Sequence, residues 1–248
     1  MNIFITGGSR GVGEQLVKSF IGQGHNVAFN YNTDSNKASR VIDEALSLTV
    51  SREQKCQAWQ LDVGNAEQVE NVCEAIIEEF NSIDVVINNA AIVRIGMAAT
   101  LSDEDWHDVL NTNLSGAFYI SRFFLNEFLI NGGGRFIHMS SVAQNGLNGQ
   151  IAYCASKAGL NGLSSAIAKE YGRKNISSNI LCLGFFETDM TKKDMAEDRM
   201  RLWEEFCPAG RMGQLSEVCA AAQFLVSEGA AFINGQTINL TGGMDWVI

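Results

Sequence analysis

Tyr153 and Lys157 stand four residues apart. In a helix, side chains at i and i+4 share one face, so a phenol and an ammonium would point the same way. A free phenol holds its proton to a pKa of roughly 10, too tightly for acid–base work near neutrality. A cation within about 4–6 Å favours the phenolate and lowers that value. Lys157 is placed to supply the cation. Ser140 lies thirteen residues before Tyr153, at the end of the apolar run Phe136-Ile137-His138-Met139. That run reads as a buried strand, with Ser140 at its carboxyl end, the edge where ligands of open α/β sheets collect. Taken alone, Tyr-x-x-x-Lys more often marks a packed tyrosine and a solvated lysine, so the surrounding elements must decide.

The first of these elements is at the N-terminus. Asn2 to Thr6 is a short apolar strand, followed by Gly7-Gly8-Ser9-Arg10-Gly11-Val12-Gly13. Val12, Leu16, Val17, Phe20 and Ile21 then recur at helical spacing. Strand, glycine loop and helix in that order suit a pyrophosphate. Glycines let the backbone approach it, and the helix N-terminus offers free N–H groups and the positive end of a dipole. A second strand spans Asn26 to Asn30 and runs into Tyr31, Asn32 and Thr33, with no acid before Asp34. An acid at the strand end would bind the ribose 2′-hydroxyl of NAD. Its absence, with Arg10 in the loop as a cation for a 2′-phosphate, favours NADPH.

The rest of the chain repeats strand and helix. Lys37 to Thr49 reads as a surface helix and Cys56 to Leu61 as a third strand. Val69, Val72, Cys73, Ile76, Ile77 and Phe80 trace an amphipathic helix. Ile83 to Ile87, apolar throughout as in a strand covered on both faces, ends in Asn88-Asn89-Ala90-Ala91. Ser102 to Ile130 is helical with a break near Asn113, and its second half leaves little polar face, which points to a subunit interface. Gly159, Gly162 and Ala166 would allow close packing along the helix that carries Lys157. A sixth strand covers Ile176 to Leu183. The segment 184–213, with Phe185, Phe186, Met190, Met195, Met200, Trp203 and Phe206, reads as a mobile lid over the substrate, or in its second half as a packed helix pair. A last helix spans Val218 to Val226 and a last strand Gln236 to Leu240. Alternating elements without repeat or linker predict one domain, 1–248, an α/β Rossmann-type doubly wound parallel sheet of about seven strands with helices on both faces.

Composition narrows the function. The chain has 248 residues, 46% apolar, and a formal charge of −10. No basic stripe is present, so nucleic acid is not an expected partner. No apolar run approaches the roughly 18 residues of a membrane span, and no basic stretch precedes the first apolar residues as in a signal peptide. The six cysteines lack C-x-x-C spacing and the three histidines form no ligand pattern. This argues against a metal and fits reduced thiols in the cytoplasm.

Together these motifs resemble the short-chain dehydrogenase/reductase family in its single-domain form, over essentially the whole chain. Thr6 to Gly13 is similar to its T-G-x-x-x-G-x-G. Asp62-Val63 resembles its adenine-pocket pair, Asn88 to Ala91 its N-N-A-G, and Asn113-Leu114 its active-site asparagine. Ser140, Tyr153 and Lys157 match its serine and Y-x-x-x-K. The resemblance implies cofactor contacts at Gly7, Ser9, Arg10, Gly11, Val12, Gly13, Asn30, Tyr31, Asn32, Asp62, Val63, Asn89, Ala90, Ala91, Tyr153, Lys157, Gly184, Phe186 and Thr188. It implies that Ser140 binds a substrate carbonyl, Tyr153 protonates it, Lys157 holds the ribose, and Asn113 supports a water that relays protons to Lys157. Arg211-Met212-Gly213 and Gly235 to Met244 are similar to 3-oxoacyl-(acyl-carrier-protein) reductases. The expected substrate is then a 3-oxoacyl thioester on acyl carrier protein or CoA, and the expected assembly a homotetramer or homodimer. A sugar, polyol or steroid alcohol dehydrogenase is the alternative, and a non-catalytic NADP-binding protein a third. Three departures stand out. Ala91 replaces a glycine. Leu183 replaces a proline, which frees an N–H and loosens φ beside the nicotinamide. The basic residues usual before strand five are reduced to Arg135, leaving Arg173 and Lys174 to meet an acidic carrier.

Overall fold

The computed structural model describes residues 1–187 and 203–245. Seven parallel strands form one sheet: β1 Asn2–Ile5, β2 Asn26–Tyr31, β3 Cys56–Gln60, β4 Val85–Asn88, β5 Gly134–Ser141, β6 Ile176–Leu183 and β7 Thr237–Leu240. Their order is β3-β2-β1-β4-β5-β6-β7. The order reverses between β1 and β4, which opens a crevice at their carboxyl ends. Helices α1 Gly11–Gly22, α2 Ser35–Leu46, α3 Ala66–Phe80, α4 Asp103–Leu110, α5 Gly116–Asn131, α6 Ile151–Tyr171 and α7 Leu215–Val226 cross between the strands. The sequence reading placed the strands at these positions to within one residue, β5 and β4 apart. β5 starts two residues earlier and runs on through both serines, and β4 drops Ile83 and Asp84 and gains Asn88.

Successive strand residues face opposite sides, and both sides are apolar. Ile3, Ile5, Val27, Phe29, Val85 and Ile87 face one core with Leu16, Phe20, Val218 and Leu225. Phe4, Ala28, Val86 and Phe136 face the other with Ile76, Ile120, Phe124 and Phe128. In the second core Phe128 and Phe136 sit 4.9 Å apart and Phe4 and Phe124 5.6 Å apart. Each such ring removed from water contributes about 1.5–3 kcal/mol. This double cover fixes the strand ends at which the site is built.

Within the chain, α5 buries Ile120, Phe124 and Phe128 on one side and leaves Phe118, Leu129 and Ile130 exposed. Arg122 lies against the Phe118 and Tyr119 rings on the open side. On α6, Gly159 does allow close approach, since a Cβ there would meet Leu114, but Gly162 faces open space. Leu183 stays in the ladder, paired with Ser141 and with Leu240. Of the segment 184–213, only its two ends fall within the described residues. They are tied together by a bridge from Phe186 to Gly213 and by Phe185 stacked on Trp203 at 4.1 Å. Met190, Met195, Met200 and Thr188 lie outside the described residues.

Candidate active site

The glycine loop between β1 and α1 is shaped by two glycines in left-handed conformations, Gly7 at φ 68° and Gly11 at φ 55°. Only glycine adopts these at little cost. A Cβ at Gly13 would land on the Gly7 carbonyl oxygen, whereas one at Gly11 would meet nothing. The loop is therefore closed from below and open above, at the start of a helix. Neutral side chains hold it. Asn30 Oδ1 accepts from Gly7 N at 2.9 Å, and its Nδ2 donates to Leu61 O at 2.9 Å. Asn89 Nδ2 donates to the carbonyls of Thr6 and Gly7 at 2.9 and 3.2 Å. Thr6 Oγ1 accepts from the backbone N–H groups of Asn89 and Ala90, both at 2.9 Å. The cradle fits a dinucleotide pyrophosphate: a helix N-terminus, an open glycine face and no acid in the loop.

The other residues expected at a cofactor fall into two groups. Gly7, Ser9, Arg10, Gly11 and Val12 line the loop, with Arg10 exposed just before α1. Tyr31 ends β2, and exposed Asn32 follows it. Asp62 Oδ1 caps the turn by accepting from Gly64 N at 2.9 Å, and Val63 packs beside Gly116. Ala90 and Ala91 follow β4, and Gly184 N donates to Leu240 O at 2.9 Å. Asn30 and Phe186 do something different from what the sequence led one to expect. The Asn30 side chain is buried and committed to the loop backbone. The Phe186 ring is buried against Gly213 in the core.

The helix break foreseen near Asn113 is a single π-turn, Asn111–Ser115, between α4 and α5. Such bulges are frequent at functional sites. Asn113 is buried, and its amide clips a neighbouring segment: Oδ1 accepts from Ile92 N at 2.8 Å and Nδ2 donates to Ile92 O at 2.9 Å. Nδ2 also donates to Ser156 Oγ on α6 at 3.1 Å. Asn113 thus joins the stretch after β4 to the helix of Tyr153 and Lys157.

Tyr153 and Lys157 occupy the first two turns of α6, and the Lys157 ammonium lies 5.5 Å from the Tyr153 ring centroid. Lys157 is buried and donates to Met139 O at 2.7 Å. Burial pulls its pKa down to about 8. Burial also pushes the Tyr153 phenol up to about 12, opposed by a hydrogen bond with the Ser141 side chain. The expected lowering of Tyr153 by Lys157 is therefore corrected. Desolvation dominates, and the ammonium is turned to a strand carbonyl rather than to the phenol oxygen.

Ser140 is corrected too. Its hydroxyl lies under α6 and bonds to Gln144 Oε1 at 2.8 Å and to Lys157 O at 3.1 Å. The serine that meets the Tyr153 hydroxyl is its neighbour, Ser141, whose Oγ also accepts from Ala143 N at 3.2 Å. Adjacent strand residues face opposite sides. Counting thirteen residues back from Tyr153 found the strand end but not which serine faces the rim. The pair Ser140-Ser141 was the only signal available.

Two cavities occur among the described residues, and only the smaller is lined by Lys157. One of about 170 Å³ lies between Phe185, Trp203, Met212, Gly213 and Met244, within the segment read as a lid and its surroundings. It does not include Tyr153, Ser141 or Lys157. The other, of about 10 Å³, is lined by Thr6, Asn88, Thr112, Asn113 and Lys157 among others. Among the described residues no cluster of three metal-ligating side chains occurs, and no helix is long and apolar enough to cross a membrane.

Comparison with known proteins agrees with this geometry. Residues 7–245 match the family described as enoyl-(acyl carrier protein) reductase. The chain is 36% identical over 242 residues to the 3-oxoacyl-(acyl-carrier-protein) reductase of Chlamydia trachomatis serovar D, covering 97% of this chain and 95% of that one. It is 35% identical over 241 residues to the reductase of the same name from Escherichia coli (strain K12), with 97% and 95% covered. A mutant short-chain dehydrogenase/reductase of Serratia marcescens superposes with a TM-score of 0.90 at 27% identity, over 98% of this chain and 97% of that one. With its doubly wound sheet, its glycine cradle and its tyrosine and lysine one helical turn apart, the chain belongs to the short-chain dehydrogenase/reductase family, oxidoreductases acting on CH–OH and C=O groups.

Proposed function

We propose that this protein is an NADPH-dependent ketone reductase whose substrate is a 3-oxoacyl thioester, carried by acyl carrier protein or CoA, and whose product is the 3-hydroxyacyl thioester. The observation that carries this reading is the Tyr153 hydroxyl set against Ser141 at the sheet rim, with Lys157 buried one turn behind. The full-length similarity to two reductases of that name supports the substrate class. When bound, NADPH supplies the hydride. Gly7, Ser9, Arg10, Gly11 and Gly13 hold its phosphates, Arg10 favours the 2′-phosphate, and Asp62, Val63 and Asn89 to Ala91 surround the remainder. Ser141 donates a hydrogen bond to the substrate carbonyl and stabilises the charge that develops on oxygen. Tyr153, protonated at neutral pH, gives that oxygen its proton. Lys157 orders the site, and Asn113 fixes the π-turn that faces it.

On this reading the chain is one catalytic unit in the cytoplasm. Copies associate through the apolar side of α5, where Phe118, Leu129 and Ile130 stand exposed.

The test is a substrate panel with purified protein. NADPH oxidation, followed by absorbance, is measured with acetoacetyl thioesters of CoA and of acyl carrier protein. It is set beside NADP⁺ reduction with sugars, polyols and steroid alcohols. Thioester reduction with NADPH preferred over NADH is the expected result. Faster alcohol oxidation, or a preference for NADH, would overturn it.

A further inference from the structure

Helix α6 carries three polar residues at intervals of four, Tyr153, Lys157 and Asn161. Residues so spaced share a helix face. The first two belong to the candidate active site. Asn161, about 12 Å along the axis from Tyr153, lies outside it. Its Nδ2 donates to Gln144 Oε1 at 2.9 Å and to Ala158 O, on its own helix, at 3.3 Å. Its Oδ1 accepts from Thr237 Oγ1 at 2.8 Å, at the first residue of β7. Gln144 Oε1 also accepts from Ser140 Oγ at 2.8 Å. The bonds thus run from β7 through α6 to the short turn Val142–Asn145 that follows β5.

The amide orientations are forced. A backbone carbonyl can only accept, so the Asn161 atom facing Ala158 O and Gln144 is the nitrogen. Gln144 must then meet it with its oxygen. Ser140 has one hydroxyl hydrogen and two acceptors within reach, Gln144 Oε1 and Lys157 O. The bond from Asn161 is therefore the one that Gln144 does not share.

This tie bears on Ser141. Ser141 leaves the strand extended, at φ −145° and ψ 152°, and opens the turn by accepting from Ala143 N. Its hydroxyl points at Tyr153 only as well as the turn behind it is seated. Val142 and Ala143 are buried and seat the first half of the turn by packing. Gln144 is only half-buried, and its hydrogen bonds seat the second half against α6. Both partners of the Ser141–Tyr153 hydrogen bond are then referred to one helix face, the phenol directly and the serine through Gln144 and Asn161.

We propose that Gln144 and Asn161 are positioning residues that hold Ser141 against the Tyr153 hydroxyl. The kinetic consequence rests on the reductase reading, but the geometry does not.

A double-mutant cycle tests it. Gln144→Met keeps the length of the side chain without the amide, and should lower kcat for thioester reduction about tenfold with KM for thioester and NADPH unchanged. Gln144→Glu, whose carboxylate still accepts from Asn161 and Ser140, should restore most of that loss. In a Ser141→Ala background the Gln144→Met loss should vanish, because no donor is left to aim. Losses that multiply, parental kcat in Gln144→Met, or a Glu variant no better than the Met variant would overturn the proposal. In case Gln144→Met folds poorly, Asn161→Ala cuts the same bond from α6 and should show the same loss and the same dependence on Ser141. If no thioester is turned over, the reductase reading fails by itself, and a crystal structure of Gln144→Met decides the positioning role. Ser141 Oγ beyond hydrogen-bond distance of the Tyr153 hydroxyl would support it, and an unmoved pair would overturn it.

Discussion

The glycine loop and the tyrosine site sit on the same sheet edge, yet they are built on opposite principles. The loop is held by neutral groups, all satisfied: Asn30, Asn89 and Thr6 bond its backbone from behind. Its shape comes from the absence of side chains at Gly7, Gly11 and Gly13. The tyrosine site is held by burying groups that would rather meet water. Lys157 sits at about 8 and Tyr153 at about 12 because the surroundings exclude solvent. A binding cradle can be made at little energetic cost, whereas a reactive centre keeps charges where they are unstable.

That contrast can be broken at several points. The largest effect belongs to Tyr153→Phe, which should lower kcat by about a hundredfold or more while cofactor affinity and melting temperature stay near parental. Steady-state kinetics beside cofactor titration check it, and retention of parental kcat would refute the role of the phenol. Next come the two serines. Ser141→Ala should cost about a hundredfold in kcat. Ser140→Ala should leave kcat nearly intact and cost about 1 kcal/mol of stability through its lost hydrogen bonds. The reverse pattern would restore Ser140 as the reactive serine.

Gly13→Ala tests the loop. Its Cβ would collide with the Gly7 carbonyl, so the loop must shift, at a cost of about 1–3 kcal/mol. Cofactor affinity should fall while kcat at saturating cofactor changes little. Lys157→Met tests the other principle. The folded chain releases the lysine proton near pH 8, and the unfolded chain near roughly pH 10.4. Burial of the charge therefore destabilises the fold fully below pH 8, and the penalty is relieved as pH rises through that window. The inactive variant should be more stable than the parent by on the order of 2–3 kcal/mol near neutral pH. The gap should close towards about pH 10. Melting curves across that range, with no gap at any pH, would contradict it.

Much of this was legible from the residues. The strand–loop–helix at the N-terminus is local, since glycines and apolar spacing lie within twenty residues of each other. The Tyr153–Lys157 pair needs only helical geometry. The break near Asn113 showed as a fault in periodicity, though not as a π-turn. What stayed hidden depended on contacts between distant segments. Asn30 looks like a cofactor contact until β1 and β3 are placed on either side of it.

By itself the sequence determined the order of the elements, the glycine cradle and the helix that carries the phenol and the ammonium, because each follows from spacing along one segment. Only the tertiary structure decided that Ser141 rather than Ser140 meets the phenol, that desolvation outweighs the lysine in setting the phenol's pKa, and that His138 sits between Asn88 and Ser178 in a buried polar chain. The physical reason is the same in all three. Which way a strand residue faces, and how much water reaches it, are set by the strands and helices that pack against it from elsewhere in the chain.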